Sequence, residues 1–414
     1  MAWVTDLHPT GAELSACVQC GLCLPHCPTY RLTGLDTASP RGRLMAMSAV
    51  ASGQLEVDES FVDIMGFCLQ CRACEAVCPS LVPFGRAMEG ARIEIAAQRP
   101  SVERRFRHLL VGRVLPKRPL MRLATWGVRI VQKLHLDRVL PPSLRRPMRG
   151  LRRLRPAPSV AGSIAGEGQR GRAALLAGCV MDPWFNPVQE ATMELLARAG
   201  YRVVVPENQT CCGALAAHDG DAADARRMAR RNVEAFAGVD LVVATAAGCS
   251  AHLAEYGHWA DGGDDLAGRS RDVTMVIADL IREGALPTLD VDRGPVAVQD
   301  PCHLRHAQRE TAAPRTILRA AGYRPVDVDP AGMCCGAAGI YSLIHPETSA
   351  ELGRRKAAEV GATGSTLVAS ANPGCEMQLR QHLDDWYRVA HPVELYLESL
   401  IQVSRAEAGS SAAP

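Results

Sequence analysis

Aromatic residues make up only 4% of the 414 residues, so any core has to be built from Ala, Val, Leu and Ile rather than from large rings. No uninterrupted apolar run approaches the ~18 residues that a membrane-crossing helix needs. The opening residues, MAWVTDLHPTG, carry neither a basic cluster nor an apolar stretch and do not read as a secretion signal. No Gly-x-Gly-x-x-Gly follows a β-branched run and no P-loop occurs, so no flavin, nicotinamide or ATP fingerprint is recognisable. The expectation is a cytoplasmic chain, at most peripheral at the inner face of a membrane, with no flavin or nicotinamide of its own.

What is abundant is cysteine, sixteen in all. In a leaderless chain this points to a reducing compartment, where thiol clusters serve metals or redox work more often than disulfides. The composition, 47% apolar and 22% charged, suits two or three globular domains and excludes a disordered chain, a coiled coil or a collagen. The formal charge of +2 conceals an asymmetry: Arg99 to Arg155 holds 17 Lys/Arg against 2 Asp/Glu, which leaves −13 for the remainder.

The cysteines fall into two sets of eight, Cys17 to Cys78 and Cys179 to Cys375, separated by the cysteine-free basic stretch. That stretch ends in Pro156 to Gly171, a Pro/Gly/Ser/Ala segment expected to be a flexible linker. The first part reads as helical. Ser39-Pro40 opens a helix that Gly53 can stop, Asp58 caps another reaching Phe67, and a third spans about 85–98. Beyond the linker, short β-branched runs at 173–177, 201–205, 241–245, 295–299, 325–329 and 366–370 alternate with helical patterns near 187–199, 221–237, 313–321 and 347–360. Such alternation predicts parallel sheets. Cys179, Cys211 and Cys212 recur as Cys302, Cys334 and Cys335, each shifted by 123, and Cys249 recurs as Cys375, shifted by 126. The region is therefore two copies of one α/β unit, with the acidic-glycine loop 261–272 near their junction.

The strongest motif is Cys17-x-x-Cys20-x-x-Cys23-x-x-x-Cys27-Pro28, repeated as Cys68-x-x-Cys71-x-x-Cys74-x-x-x-Cys78-Pro79. In this spacing three thiolates wrap one cluster and the Cys-Pro thiolate reaches the other. Cys17, Cys20, Cys23 and Cys78 are thus expected to hold one [4Fe–4S] cluster, and Cys68, Cys71, Cys74 and Cys27 a second, with Gly21 and the small Ala73 letting backbone N–H groups approach the sulfurs. The alternative is zinc, whose closed sites usually pair two Cys-x-x-Cys knuckles. The long spacer between Cys27 and Cys68 reads as helical, so this part resembles the α-helical ferredoxin module of respiratory enzymes.

Cys179…Cys211-Cys212-Gly213…Cys249 and Cys302…Cys334-Cys335-Gly336…Cys375 resemble the cysteine-rich CCG domain of heterodisulfide reductases and of hydroxyacid dehydrogenase iron–sulfur subunits. The full CCG pattern ends in Cys-x-x-Cys; here His252 and Gln378 occupy the last positions. These eight cysteines could form an additional cluster, bind zinc, or line an inactive cleft. His303 and His306, beside Cys302, could tune or protonate such a site, or be ordinary satisfied histidines.

Clusters pass single electrons, whereas oxidising an alcohol removes two, a task a flavin can mediate. With no flavin motif, the substrate chemistry is expected on a partner chain. In the basic stretch, Leu120, Leu123, Trp126, Ile130 and Leu134 form a helical stripe, with Arg122, Arg129 and Lys133 off it. The stripe is expected first to face a core or another subunit, second to lie on an acidic membrane surface and serve a quinone; no nucleic-acid recognition fold is visible.

Taken together the chain resembles the glycolate oxidase iron–sulfur subunit family over nearly its whole length. The telling residues are Asp300-Pro-Cys-His-Leu, Cys334-Cys-Gly-Ala-Ala-Gly and Asn372-Pro-Gly-Cys375-Glu-Met-Gln378, with Pro314-Arg315, Arg355-Lys356 and His391-Pro-Val-Glu; glutamine at Gln378's position is characteristic of that family. The resemblance implies an α+β multidomain chain: an α-helical ferredoxin domain (1–98), a basic helical segment and linker (99–171), two CCG α/β domains (172–290 and 291–404) and a disordered tail (405–414). It implies an electron-transfer subunit serving an FAD-containing partner that oxidises glycolate to glyoxylate. Subunits of D-lactate and anaerobic glycerol-3-phosphate dehydrogenases, or a heterodisulfide-reductase-like thiol–disulfide reductase, are the alternatives.

Overall fold

The computed structural model describes residues 3–136, 145, 148–154 and 156–411. The N-terminal helices begin where side chains can cap them. Ser39 Oγ accepts from Gly42 N–H at 3.0 Å and starts the helix Pro40–Ala51; Asp58 accepts from Phe61 N–H at 2.8 Å and starts Glu59–Gly66. Each closes one of the donors that a helix start leaves open. The longer helix Phe84–Gln98 buries Ala87, Met88, Ala91 and Ile95 against Met47, Phe61 and Met65. Glu94 on this helix is fully buried and accepts from the backbone of Val4 at 2.9 Å and Thr5 at 2.7 Å, which straps the N-terminal segment across it.

The C-terminal region is two sheets. β1 (Ile164–Ala165), β2 (Arg172–Leu176), β3 (Arg202–Val204), β4 (Leu241–Ala244) and β5 (Ser270–Asp272) lie in the order β1-β3-β2-β4-β5. β6 (Pro295–Gln299), β7 (Arg324–Asp327), β8 (Leu367–Ser370) and β9 (Arg388–Ala390) lie in the order β7-β6-β8-β9. Apart from the antiparallel β1 all pairs are parallel, and β2–β5 follow the same order as β6–β9. The repeat read from the cysteine spacings is thus a repeat of topology. The two units share one core: Val276, Ile277 and Leu280 of helix Val273–Arg282 meet Ala313, Ile317 and Ala320 of helix Ala312–Ala320, and Val393, Tyr396 and Leu400 close the cluster.

Four expectations are corrected. The acidic-glycine loop 261–272 contains a helix (Gly263–Arg269) and strand β5, whose Ser-Arg-Asp sequence shows no strand pattern. The linker 156–171 is partly structured: β1 pairs with β3, and Asp182 holds Ser159 Oγ at 2.6 Å and Val160 N–H at 2.9 Å. The last helix, Pro392–Ser411, runs into the stretch expected as a disordered tail; 412–414 lie outside the described residues, as does much of 137–147 in the basic segment. The stripe on the basic segment does form on a helix, Arg118–Lys133, but it does not face a core. Leu123, Trp126 and Leu134 are each at least 60% exposed and Leu120 is 41% exposed, while Met121 and Thr125 are the buried positions. The helix packs through Met121 and through Thr125, whose hydroxyl accepts from Trp184 Nε1 at 3.0 Å, so the stripe turns outward. Among the described residues no helix is long and apolar enough to cross a membrane.

Candidate functional site

The two Cys-x-x-Cys-x-x-Cys loops share a backbone conformation that residue type alone does not favour. Two residues after the first cysteine, Gln19 (φ 56°) and Gln70 (φ 52°) are left-handed; two residues later, Gly21 (φ 79°) and Arg72 (φ 61°) are left-handed as well. Three of these four carry a Cβ, and such strain persists where surrounding structure enforces it, typically at functional sites. The residue matching Gly21 is therefore Arg72, not Ala73, which sits instead in the short helix Ala73–Ala76. Arg72 is held by Glu75 at 2.7 Å and Glu255 at 2.5 Å. In the second loop Gln70 N–H already points at Cys68 Sγ, 3.4 Å away.

Cys17, Cys20, Cys23 and Cys78, the four thiols expected to act together, line one cleft open to solvent, and Cys74, expected in the other set, lines it as well. Cys27 is brought by the Cys-Pro turn toward the other loop. Its Sγ lies 3.2 Å from Thr29 Oγ1, and the fully buried Arg43 donates to Thr29 Oγ1, the Ala38 carbonyl and the Ile64 carbonyl at 2.9–3.2 Å. Burial raises the Cys23 thiol to about 11, and burial with neighbouring thiols holds Cys71 and Cys74 well above the usual range. As bare groups these thiols keep their protons; cationic iron is the kind of occupant that displaces them. Soft thiolates lining a common cleft suit an iron–sulfur cluster.

The loops differ in setting. The first is at the surface, with Cys20 exposed and the apolar Val18 and Leu22 beside it in solvent. The second is buried: Leu69, Cys71 and Ala73 pack against Cys334, Tyr341 and Leu352, with Cys302 beside them. The Cys68 loop thus lies directly against the cysteines of the second α/β unit.

In each α/β unit four sulfurs come together. Cys179 and Cys211 are 3.4 Å apart and Cys212 and Cys249 3.3 Å. Hydrogen bonding with Cys179 and Cys212 holds the Cys211 thiol well below the usual range; Cys335, between Cys334 and Cys375, is lowered in the same way. The glycine after each pair is required by shape: Gly213 and Gly336 have φ of 97° and 89°, and a Cβ on Gly336 would lie 2.7 Å from the Ser349 carbonyl oxygen. The Asp300-Pro301-Cys302 turn is fixed by Arg315, whose two terminal nitrogens donate to the buried Asp300 carboxylate at 2.9 and 3.0 Å.

Comparison with known proteins agrees with this layout. Residues 13–82 match the model of a 4Fe-4S dicluster domain, and residues 173–254 and 296–380 each match that of a cysteine-rich domain. The "Probable glycolate oxidase iron-sulfur subunit" of Bacillus subtilis is 36% identical over 94% of both chains. The chain belongs to the glycolate oxidase iron–sulfur subunit family. The "Glycolate oxidase iron-sulfur subunit" of Escherichia coli is 31% identical over 88% of this chain and 89% of its own. "Lactate utilization protein A" of Shouchella clausii is 29% identical but covers only 50% of this chain.

This chain's departure from the four-cysteine pattern has a different physical meaning in each repeat. Gln378 donates to the Ser349 carbonyl at 2.8 Å and so serves packing. His252 is buried and neither ring nitrogen has a partner. His303 Nε2 donates to the Gln70 carbonyl at 3.1 Å, and His306 Nε2 to that of Gly332 at 2.8 Å. Four residues at the junction of the domains escaped the sequence reading: Arg72, Glu89, Arg92 and His218. Glu89 and Arg92 sit in an ordinary-looking helical stretch, and only the docking of helix Phe84–Gln98 on the first α/β unit reveals them.

Proposed function

We propose that this chain carries single electrons from an FAD-containing dehydrogenase subunit, most simply one oxidising glycolate to glyoxylate, to a downstream quinone. The observation that carries the reading is the pair of matching, strained cysteine loops, one open at the surface and one buried against the second α/β unit. Cys17, Cys20, Cys23 and Cys78 would hold the first [4Fe–4S] cluster, and Cys68, Cys71, Cys74 and Cys27 the second; each stores one electron at a time. The exposed loop with Val18 and Leu22 offers the flavin partner a short approach, and the buried loop leads inward to Cys302 and Cys334. A further metal or cluster at Cys302, Cys334, Cys335 and Cys375, or at Cys179, Cys211, Cys212 and Cys249 with the orphaned His252, fits the donor chemistry. The name shared with the two full-length relatives favours glycolate; the partial relative named for lactate use keeps D-lactate as the alternative.

The test is anaerobic co-purification from the native host followed by assay with glycolate and D-lactate. A flavin-containing chain should come with this one, and Val18→Glu with Leu22→Glu should release it. A complex that retains that chain unchanged in the double variant would place the partner elsewhere.

The outward stripe of helix Arg118–Lys133 supports contact with an acidic membrane surface, where a quinone would be met. Burying a residue such as Leu123 or Trp126 is worth about 1.5–3 kcal/mol, and each nearby Arg or Lys adds about 1 kcal/mol on an anionic surface. Co-sedimentation is expected with vesicles containing anionic lipid, weakly with neutral ones, and not for Leu123→Glu with Trp126→Glu. Equal recovery with both vesicle types, or none, would assign the stripe to a protein partner instead.

A further inference from the structure

Glu89, on helix Phe84–Gln98, is buried at the seam between the ferredoxin domain and the first α/β unit. Its Oε1 lies 2.9 Å from Nδ1 of His218, the last residue of helix Ala214–His218. The Glu89 side chain is 6% exposed and that of His218 25%, so the pair has one end in the interior and one reaching solvent. Arg92 ties it to the second cysteine loop: one terminal nitrogen donates to the His218 carbonyl and the other to the carbonyl of Cys68, both at 2.6 Å. Among the described residues no carboxylate forms a salt bridge with Arg92, and its Nε has no partner. On the far side the His218 ring stacks on His303, centroids 5.5 Å apart, and His303 is bonded to the Gln70 carbonyl of the same loop.

We infer that Glu89 is a proton site coupled to electron transfer: when the centre held by the Cys68 loop accepts one electron, its carboxylate takes up one proton from solvent by way of His218. This rests on the reading of that loop as a cluster site. The electron comes from the flavin partner and leaves to the next acceptor. The proton enters at His218, settles on the Glu89 carboxylate, and returns to solvent on reoxidation. Charge added within the loop is thereby offset close by, in a low-dielectric seam where an uncompensated charge is costly.

The groups facing the pair fit the role. Arg72 and Glu75 come from the loop side, Arg92 from the same helix as Glu89, Asp219, His252, Glu255 and His258 from the first α/β unit, and His303 from the second. Burial, opposed by Arg72, His258 and Arg92, brings Glu89 up to about 7, where gain and loss of a proton are both accessible. Burial keeps His218 below its ordinary range, so it passes a proton rather than storing it.

The experiment is an anaerobic redox titration of the full chain, followed by electron paramagnetic resonance between pH 6 and 9. One of the two centres should show a midpoint falling with pH, approaching about 59 mV per unit, the value for a tenfold change in a one-electron equilibrium. The slope should vanish in Glu89→Gln, shrink in His218→Gln, and return in Glu89→Asp; the other centre should stay level throughout. Flat midpoints for both centres in the wild-type protein, or a slope that survives Glu89→Gln, would overturn the inference. The wild-type titration decides even if a variant fails to fold. Absence of any cluster signal would instead overturn the reading on which it rests.

Discussion

Replacing Cys71 with serine should halve the iron of the protein, from about eight atoms per chain to about four, and stop electron flow through the complex. The side chain is buried among Leu69, Ala73, Cys334 and Tyr341, and a serine hydroxyl is a hard, weakly acidic ligand for iron that prefers sulfur. Cys20→Ser should remove the other half while disturbing the fold less, because Cys20 is exposed. Iron and sulfide analysis after anaerobic purification, with glycolate oxidation by the reconstituted complex, checks both. Retention of all the iron in both variants would take these residues out of the ligand set.

The second large effect is on stability. Arg152, at the end of the basic segment, lies between two buried carboxylates of the second α/β unit: Glu376 at 2.5 and 2.7 Å and Glu394 at 2.6 and 2.7 Å. Its guanidinium also sits 5.0 Å over the Phe185 ring of the first unit. Arg152→Met leaves Glu394 buried without its cation, while Glu376 keeps Arg380 at 2.9 Å, and removing one partner of a buried pair costs about 3–5 kcal/mol. The pH dependence identifies the cause. Burial opposes ionisation of Glu394, but hydrogen bonds from Arg152 outweigh it and hold the group below its ordinary 4.5. In the wild-type protein this contribution is present above about pH 4.5 and lost as the pH falls further. In the variant Glu394, buried and without that cation, titrates higher, so protonation relieves it. The gap between the two proteins in urea unfolding should therefore be widest near pH 8 and narrow toward pH 5. A gap independent of pH would mean that lost packing on Phe185, not charge, is responsible.

The sequence was most readable where chemistry fixes spacing. The shift of 123 residues between the Cys179 and Cys302 sets predicts a structural repeat, and the matching strand orders bear it out. The six β-branched runs all became strands, because covered parallel strands are apolar, although the edge strand β7 buries none of its residues. β5 and β9 escaped for the converse reason: they are three-residue edge strands, Ser-Arg-Asp and Arg-Val-Ala, too short and polar to show a pattern. The Leu120–Leu134 stripe was legible as a helix but not in its direction, since an apolar face looks alike whether it meets a core or the outside. Glu89 and His218 were invisible, because nothing local distinguishes a helical glutamate that faces solvent from one that another domain covers. Arg72 shows the limit in the cysteine loops themselves: the left-handed position filled by Gly21 in the first is filled in the second by a residue that only its partners, Glu75 and Glu255, hold there.

The measurement that bears most directly on the account is electron paramagnetic resonance, with iron and sulfide analysis, on the wild-type chain purified without oxygen and reduced with dithionite. About eight iron and eight sulfide per chain, with signals from two magnetically interacting reduced cubane clusters, is the expected result; about twelve of each would add a centre at the Cys-Cys-Gly cysteines. A colourless protein containing zinc, with no signal on reduction, would contradict the account at its root.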